Sequence, residues 1–161
     1  MIRDKLLTLI ENDSKLTSEQ IAAMLDKEEG DIKKAISTYE KDGVILGYKT
    51  IIDWDKTDRE YVSAMIELKV TPQRDGGFDK IAEKIYNYPE VQSVYLMSGG
   101  FDLALIIEGH TLKDVASFVA QKLAPIENVT ATATHFVLKK YKDKGVVYDK
   151  PEKDERGKLS I

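Results

Sequence analysis

The chain has 161 residues, no cysteine, 24 Lys and Arg and 28 Asp and Glu, which leaves a formal net charge of −4. The lack of cysteine excludes disulfides, thiolate nucleophiles and Cys-ligated zinc sites. The longest stretches without a charged residue have eleven residues, fewer than the roughly 20 that a membrane helix needs. We therefore expect a cytoplasmic protein with no membrane partner.

The first part of the chain predicts three short helices. The first runs from about Ile2 to Glu11, where apolar residues recur at helical spacing. Thr17 and Gln20 fit a capping box, in which the hydroxyl accepts a hydrogen bond from a free backbone N–H and the amide reaches back. The second helix therefore begins there, and we expect it to bury Ile21, Met24 and Leu25.

The third helix, Asp31–Asp42, has an apolar and a polar face. Ile32, Ile36 and Tyr39 share one side of it. Gly43 follows at the position where a left-handed residue ends a helix. Because each residue turns an α-helix by about 100°, a set of polar residues lies on the opposite side, which is available to a DNA groove. These residues are Lys33, Lys34, Ser37, Thr38 and Lys41.

This helix, turn and helix spacing is typical of DNA-reading helix-turn-helix proteins, although a polar helix face that is merely solvated is the commoner case. Charge weakens the DNA interpretation. Residues 1–60 hold ten Lys and Arg against fourteen Asp and Glu. A head of this composition is expected to bind DNA modestly as a monomer.

The pattern then changes from helical to alternating. Tyr48–Trp54 is predicted as a strand that joins the head to the rest of the chain. The following elements, in order, are a strand, a helix, two strands, a helix and a strand. We place them at Val62–Val70, Phe78–Ile85, Val91–Met97, Asp102–Glu108, Thr111–Leu123 and Val129–Lys140, with a loop at Thr71–Gly77 after the first strand. In the second of these helices we expect the inward residues to be Leu112, Val115, Ala116, Val119 and Leu123.

This order predicts an α+β chain: a three-helix, winged or helix-turn-helix head joined by a strand to a βαββαβ ferredoxin-like domain. Two helices then cover one face of a four-stranded antiparallel sheet and leave the other face open. An apolar open face indicates a dimer formed sheet to sheet. We expect it to carry Met65, Tyr95, Met97, Ile106, Thr132, Thr134 and Phe136.

The chain resembles the Lrp/AsnC family of transcription regulators from Ile2 to about Tyr141. The resemblance is carried by Ile21-Ala22, by the stretch Tyr39–Tyr48 with its Gly-Val-Ile-x-Gly-Tyr ending, and by Ser98-Gly99-Gly100-Phe101-Asp102. It implies a DNA-binding head, a C-terminal domain that binds small amino-acid effectors, and dimers that assemble further into octamer-like rings.

The sequence departs from the family pattern in the third helix. The family usually has several arginines there, where this chain has Ala35, Ser37 and Thr38, and Glu28 replaces the usual capping Ser. Since arginine is the side chain that reads guanine bidentately, we expect DNA shape and half-site spacing to supply much of the specificity.

The Ser98–Asp102 segment has two interpretations. From the residues alone it is a hairpin turn, with glycine supplying a positive φ and Asp102 accepting from the backbone. The resemblance implies instead an amino-acid site beside the turn, in a cleft between dimers. The expected effector-binding residues are Ser98, Gly99, Gly100, Asp102, Thr132 and Thr134.

The sequence shows no catalytic or metal-binding spacing and implies no cofactor, since His110 and His135 lie in unrelated contexts. An RNA-recognition module is disfavoured because the basic, glycine and aromatic signature is missing from the third strand. We expect a head at 1–47, a linker strand at 48–60, an effector-binding and oligomerisation domain at 61–141 and a charged, loosely packed tail at 142–161. The expected function is sequence-specific regulation of amino-acid metabolism genes. The alternative is an amino-acid-sensing oligomer with weak or no DNA binding.

Overall fold

The computed structural model of the protein describes residues 2–72 and 77–148. Most of the predicted loop Thr71–Gly77, and the end of the tail, lie outside the described residues. Internal contacts divide the chain into two compact units, Met1–Ile52 and Asp53–Ile161. In the part of the chain that the structure describes, every helix is too short or too polar to cross a membrane.

The first unit contains three helices, α1 (Ile2–Asn12), α2 (Ser18–Leu25) and α3 (Glu29–Lys41). The capping box before α2 is confirmed, since Thr17 N–H donates to the Gln20 side chain at 2.9 Å and Gln20 N–H donates to the Thr17 hydroxyl at 3.2 Å. Gly43 has φ +68°, as expected for a residue that ends α3. The small core of this unit contains Leu6, Ile21, Ala22 and Ile32.

Two predictions for the first 60 residues are wrong. Met24 is 58% exposed, because the buried residues of α2 are Ile21 and Ala22. Tyr48–Trp54 forms no strand, and Trp54 begins a 3₁₀ turn, Trp54–Lys56. A strand needs a neighbouring strand for its backbone hydrogen bonds, and the described part of the chain provides none for this segment.

The main elements of the second unit are β1 (Val62–Val70), α4 (Asp79–Tyr86), β2 (Val91–Leu96), β3 (Leu103–Gly109), α5 (Leu112–Phe118) and β4 (Val129–Phe136). The four strands form an antiparallel sheet with strand order β2-β3-β1-β4. Helices α4 and α5 pack on one face, where the core contains Ile66, Leu105, Ile81 and Val115. This is the predicted ferredoxin-like arrangement.

The face assignment of β4 was wrong. Thr132, Thr134 and Phe136 pair with Leu68, Ile66 and Ala64, which lie in the core under the helices. Residues paired across an antiparallel ladder share a face, so these three residues lie on the helix-covered side. Val129 also contacts the core, although strict alternation from Thr132 would put it on the other face. A register shift between Lys69 and Val70 on the paired strand explains this difference.

The last helix also differs from its prediction. It continues beyond Phe118 as a π-helical stretch, Val119–Leu123. The buried residues of the two parts are Val115, Phe118, Val119 and Leu123. Leu112 is 57% exposed and Ala116 is exposed, whereas Phe118 is buried although the helical spacing did not include it.

The expected loosely packed tail begins with a small hairpin, β5 (Lys142–Asp143) paired with β6 (Val146–Val147). Lys144 and Gly145 form its turn with φ +44° and +83°. Positive φ at both central residues matches the twist of a two-residue hairpin. Lys56 Nζ donates to the Tyr148 carbonyl at 3.4 Å, so the residues after the hairpin contact the start of the same unit.

Candidate nucleic-acid and effector sites

The polar face of α3 is available as expected. Lys33, Lys34, Thr38 and Lys41 are exposed and Ser37 is half-buried, while Ile32 is buried on the opposite side. The buried residue fixes the rotation of α3 about its axis. The helix therefore presents to solvent the side that the sequence assigned to DNA.

The five candidate DNA contacts differ in their local bonding. Lys33 Nζ forms an ion pair with Glu29 at 2.8 Å, and the Thr38 hydroxyl donates to the Lys34 carbonyl at 2.8 Å. Among the described residues Lys34 and Lys41 form no ion pair. A phosphate competes with a carboxylate for Lys33 but not for these two lysines, so Lys34 and Lys41 are the cations best placed for DNA.

Acidic residues gather at the start of α3. Glu29 and Asp31 lie in its first turn, and Glu28 at the N-cap makes no side-chain cap hydrogen bond. These carboxylates complement the positive end of the helix dipole. They also lower the local attraction for phosphates, so any DNA affinity of α3 depends on the lysines one to three turns further along.

The Ser98–Asp102 segment connects β2 to β3 as a tight turn. The Asp102 carboxylate accepts from the buried Val70 N–H at 2.7 Å, and Asp102 N–H donates to the Leu68 carbonyl at 2.9 Å. One carboxylate oxygen thus holds the end of β1 against the turn. The structural role that the residues alone favoured is therefore present, and the hydrogen bonds of the described residues leave the other carboxylate oxygen without a donor.

The two glycines of the turn differ. Gly99 has φ +141°, a conformation that side-chain-bearing residues rarely adopt. Gly100 has no positive φ, and no described atom lies within 4 Å of the position that a Cβ would take there. The fold therefore requires glycine at 99, while at 100 it leaves open backbone.

Thr132 and Thr134 are not brought to this turn within one chain. Thr132 on β4 pairs with Leu68 on β1, which in turn pairs with Leu103 at the end of the turn. Strand β1 therefore separates β4 from β3. Two strand spacings amount to about 10 Å, and both threonines lie on the helix-covered side. One chain therefore does not place these threonines and the turn in a single pocket.

The sheet face opposite the helices, here called the open face, carries Met65, Ile106 and Tyr95 as expected. Met65 pairs with Ile106 on one side and His135 on the other, and Tyr95 is 54% exposed. His135 Nε2 lies 3.3 Å from Glu67 Oε1 on the same face. Met97, just beyond β2, is 42% exposed.

The sequence did not reveal a cleft of about 530 Å³ at the far end of the sheet from the Ser98–Asp102 turn. In its wall Tyr61 donates to Glu108 at 2.8 Å and accepts from Lys140 at 2.9 Å. Burial is the main cause that raises the pKa of Tyr61 above its ordinary value, and the hydrogen bond to Glu108 also raises it. Four separate stretches of chain line this cleft, so no local motif marks it.

The comparisons with known proteins agree with this architecture. Residues 63–147 match the model of the Lrp/AsnC ligand binding domain. The uncharacterized HTH-type transcriptional regulator YugG of Bacillus subtilis is 45% identical over 153 residues, covering 94% of this chain and 92% of that protein. The regulatory protein AsnC of Haemophilus influenzae is 25% identical over 130 residues, covering 81% of this chain and 85% of that protein.

A solved structure has the same fold. It is the transcriptional regulator NMB0573 of Neisseria meningitidis in complex with L-Met, at a TM-score of 0.72 and 19% identity, with 88% of this chain and 91% of that chain covered. The match to the family model covers more than half of this chain, and YugG is similar over nearly its whole length. The chain therefore belongs to the Lrp/AsnC family of transcriptional regulators.

Proposed function

We propose that the protein is a sequence-specific DNA-binding regulator of amino-acid metabolism genes, controlled by a small amino acid bound between dimers. The exposed polar face of α3 carries the proposal, because this helix follows a tight turn and offers Lys34 and Lys41, which form no ion pair with any described carboxylate. The naming of relatives as HTH-type transcriptional regulators supports it. In this proposal Lys33, Lys34 and Lys41 contact phosphates, while Ser37 and Thr38 contact base edges.

Dimer formation through the open face compensates for the modest DNA affinity expected of one acidic head. Two copies of α3 placed about 34 Å apart reach successive major-groove faces of a near-palindromic site. Once one head is bound, engagement of the second is intramolecular, so modest affinity per head suffices. The partly exposed apolar residues Met65, Ile106 and Tyr95 support this surface as the contact between copies.

The effector site proposed here is the Ser98–Asp102 turn. Open backbone at Gly100 allows a ligand to approach closely, and the second Asp102 oxygen can accept from an ammonium group. Ser98 and Gly99 complete the turn, and Thr132 and Thr134 are assigned to the pocket as residues of a neighbouring copy. The L-Met complex of NMB0573, which shares the fold, supports an amino acid as the ligand class.

Regulation then follows from linkage. An amino acid that binds between dimers favours one arrangement of the assembly over another. If that arrangement changes the spacing of the two heads, DNA affinity changes by the same coupling free energy, typically about 1–3 kcal/mol. The assembly we propose is an octamer-like ring of four dimers in the cytoplasm.

The second candidate is an amino-acid-sensing oligomer with weak or no DNA binding. The acidic first turn of α3 and the Glu29–Lys33 ion pair favour it. A gel-shift titration with DNA from upstream of the protein's own coding sequence separates the two candidates. The regulator proposal expects a shift that Lys33→Ala combined with Lys34→Ala weakens, and the absence of any shift for wild type favours the sensor.

The effector proposal has its own test. Calorimetry with a panel of amino acids is expected to show heat for at least one of them, and Asp102→Asn is expected to abolish it. Native mass spectrometry of the purified protein reports the assembly size in the same conditions. A full panel with no heat, no thermal shift and no change of assembly contradicts the effector site.

A further inference from the structure

The cleft beside the end of β3 has the size of a small-molecule site. Its volume of about 530 Å³ lies within the range of about 300–1,000 Å³ that is usual for such sites. It is separated from the Ser98–Asp102 turn by the length of β3, which at about 3.4 Å per residue is roughly 20 Å. The cleft is therefore a different cavity from the effector site proposed above.

The acidic side chains in the described lining of the cleft all accept a hydrogen bond from another residue of the chain. They are Glu90, Glu108 and Asp114. Their donors are, in the same order, the Lys122 ammonium group, the Tyr61 hydroxyl and the Thr111 backbone N–H. The second oxygen of Glu90 has no donor among the described residues, but it is shielded from solvent. Each of these acids thus has a bonding partner before any ligand enters.

Arg59 is the exception among the charged side chains of the lining. Its guanidinium carbon lies 4.3 Å from the centroid of the Trp54 ring. Its side chain forms no ion pair or hydrogen bond with the described residues, although four acidic residues lie within six positions of it in the sequence. Stacking on the ring holds the plane of the guanidinium and leaves its N–H groups at the edge free. The cleft therefore offers a planar, oriented cation that lacks an anion.

The neutral part of the lining adds hydrogen-bond donors and apolar surface. Ser117 and Gln121 lie four residues apart on the last helix and its π-helical continuation. Neither side chain forms a hydrogen bond with the described residues, and each can donate one. Pro89 and Phe118 also line the cleft. A ligand that fits these groups has a carboxylate, a neutral oxygen and a short carbon chain.

We propose that the cleft binds a small organic carboxylate that carries a neutral oxygen and no ammonium group, as 2-oxo acids do. In this proposal Arg59 binds the carboxylate through two parallel hydrogen bonds, a geometry that the guanidinium matches. Ser117 and Gln121 donate to the neutral oxygen. The inference does not depend on DNA binding, and its ligand class differs from the one proposed for the Ser98–Asp102 turn.

Charge distinguishes this class from two others. A doubly charged phosphate needs more than one free cation, whereas Lys122, the other Lys or Arg of the described lining, is paired with Glu90. An amino acid brings an ammonium group, and the acids of the lining already have donors. Desolvating that ammonium group without a free acid to pair with costs affinity. A singly charged carboxylate pairs with Arg59 and leaves no charge unmatched.

The test is calorimetry of the full-length chain with pyruvate, 2-oxoisocaproate and phenylpyruvate. Alanine, leucine and phenylalanine differ from these acids at the second carbon alone and serve as matched probes, with inorganic phosphate as a further one. Emission from Trp54, the chain's only tryptophan, reports on the position next to Arg59. The variants are Arg59→Gln, Arg59→Lys and Gln121→Phe, which narrows the cleft. The control is Lys113→Gln, an equal loss of charge at an exposed position of α5 outside the cleft lining.

At least one 2-oxo acid is expected to bind and to change the Trp54 emission. Its matched amino acid binds about tenfold or more weakly, and phosphate gives no heat. Arg59→Gln weakens binding by about tenfold or more, the size of a lost hydrogen bond to a charged group. Arg59→Lys has a smaller effect because it keeps the charge but not the planar fork. Gln121→Phe also weakens binding, and Lys113→Gln stays within about twofold of wild type.

Three results overturn the inference. The first is no heat and no change of emission with any of the three 2-oxo acids. The second is wild-type affinity in both Arg59→Gln and Gln121→Phe. The third is an amino acid that binds as tightly as its matched 2-oxo acid. The first two leave the proposed regulator standing, because gel shifts and the Asp102→Asn titration with amino acids test that function separately.

Discussion

Replacing Asp102 with Ala is predicted to destabilise the second unit, because its carboxylate is the acceptor for a buried backbone donor. Val70 is 6% exposed, and its N–H donates to Asp102 Oδ2 at 2.7 Å. Without the carboxylate this N–H has no acceptor on the turn. A hydrogen bond to a charged group contributes about 1.5–3 kcal/mol, so Asp102→Ala is expected to lose that amount of unfolding free energy.

Asp102→Asn is the matched variant. It keeps an acceptor oxygen but not the charge, and a neutral hydrogen bond is roughly half as strong, so the expected loss is below about 1.5 kcal/mol. Urea unfolding followed by far-ultraviolet circular dichroism gives both values. An Asp102→Ala protein within about 0.5 kcal/mol of wild type, or an Asn variant as unstable as the Ala variant, refutes the reasoning.

Three further predictions test other parts of the structure. Gly43→Ala is expected to cost about 1 kcal/mol of stability in urea unfolding, because φ +68° strains a residue with a Cβ, and a cost equal to that of Gly47→Ala contradicts this. Met65→Lys puts a charge on the open face and is expected to give a smaller species by light scattering, whereas Lys80→Glu on α4 is expected to leave the assembly unchanged; equal masses refute the assigned dimer surface. The pKa values of Tyr61 and Lys140 in the folded state are both raised. The folding stability that they contribute is therefore fully present below their ordinary pKa values near 10, and it is lost as the pH rises through the raised pKa values. Tyr61→Phe is therefore expected to flatten the fall of Tm above pH 10, and an unchanged profile contradicts that assignment.

Local signals predicted much of the fold. The capping box at Thr17 and the helix-ending Gly43 are confirmed because each depends on a few adjacent residues. The six elements of the ferredoxin-like part of the second unit follow from long periodic segments, and their order is typical of one sheet topology. The resemblance to the family, carried by short motifs, is confirmed by the match over residues 63–147.

Non-local geometry was harder to predict. The face of β4 was misassigned because Thr and Ala alternate along most of the strand and give little hydrophobic contrast, so its phase depends on a register shift at Lys69 and Val70. Tyr48–Trp54 has the pattern of a strand but no neighbour to pair with in the described part of its chain. The Lys144-Gly145 turn was a readable hairpin signal that the high charge of the tail obscured.

The candidate site was predictable only in part. The exposed face of α3 follows from helical spacing, whereas the Glu29–Lys33 ion pair and the Thr38 bond to the helix backbone are visible only in the structure. These contacts change the ranking of the five residues and leave Lys34 and Lys41 as the strongest candidates for phosphates. The DNA and effector contacts themselves stay predictions.

The central claim is that α3 binds DNA through these two lysines, and the salt dependence of binding tests it most directly. Affinity for the upstream duplex is measured between about 50 and 200 mM salt for wild type and for Lys34→Ala combined with Lys41→Ala. The account predicts that wild type binds and that the double variant binds more weakly, with the slope of log K against log salt reduced by about 2. No wild-type binding at the lowest salt, or an unchanged slope in the double variant, contradicts it.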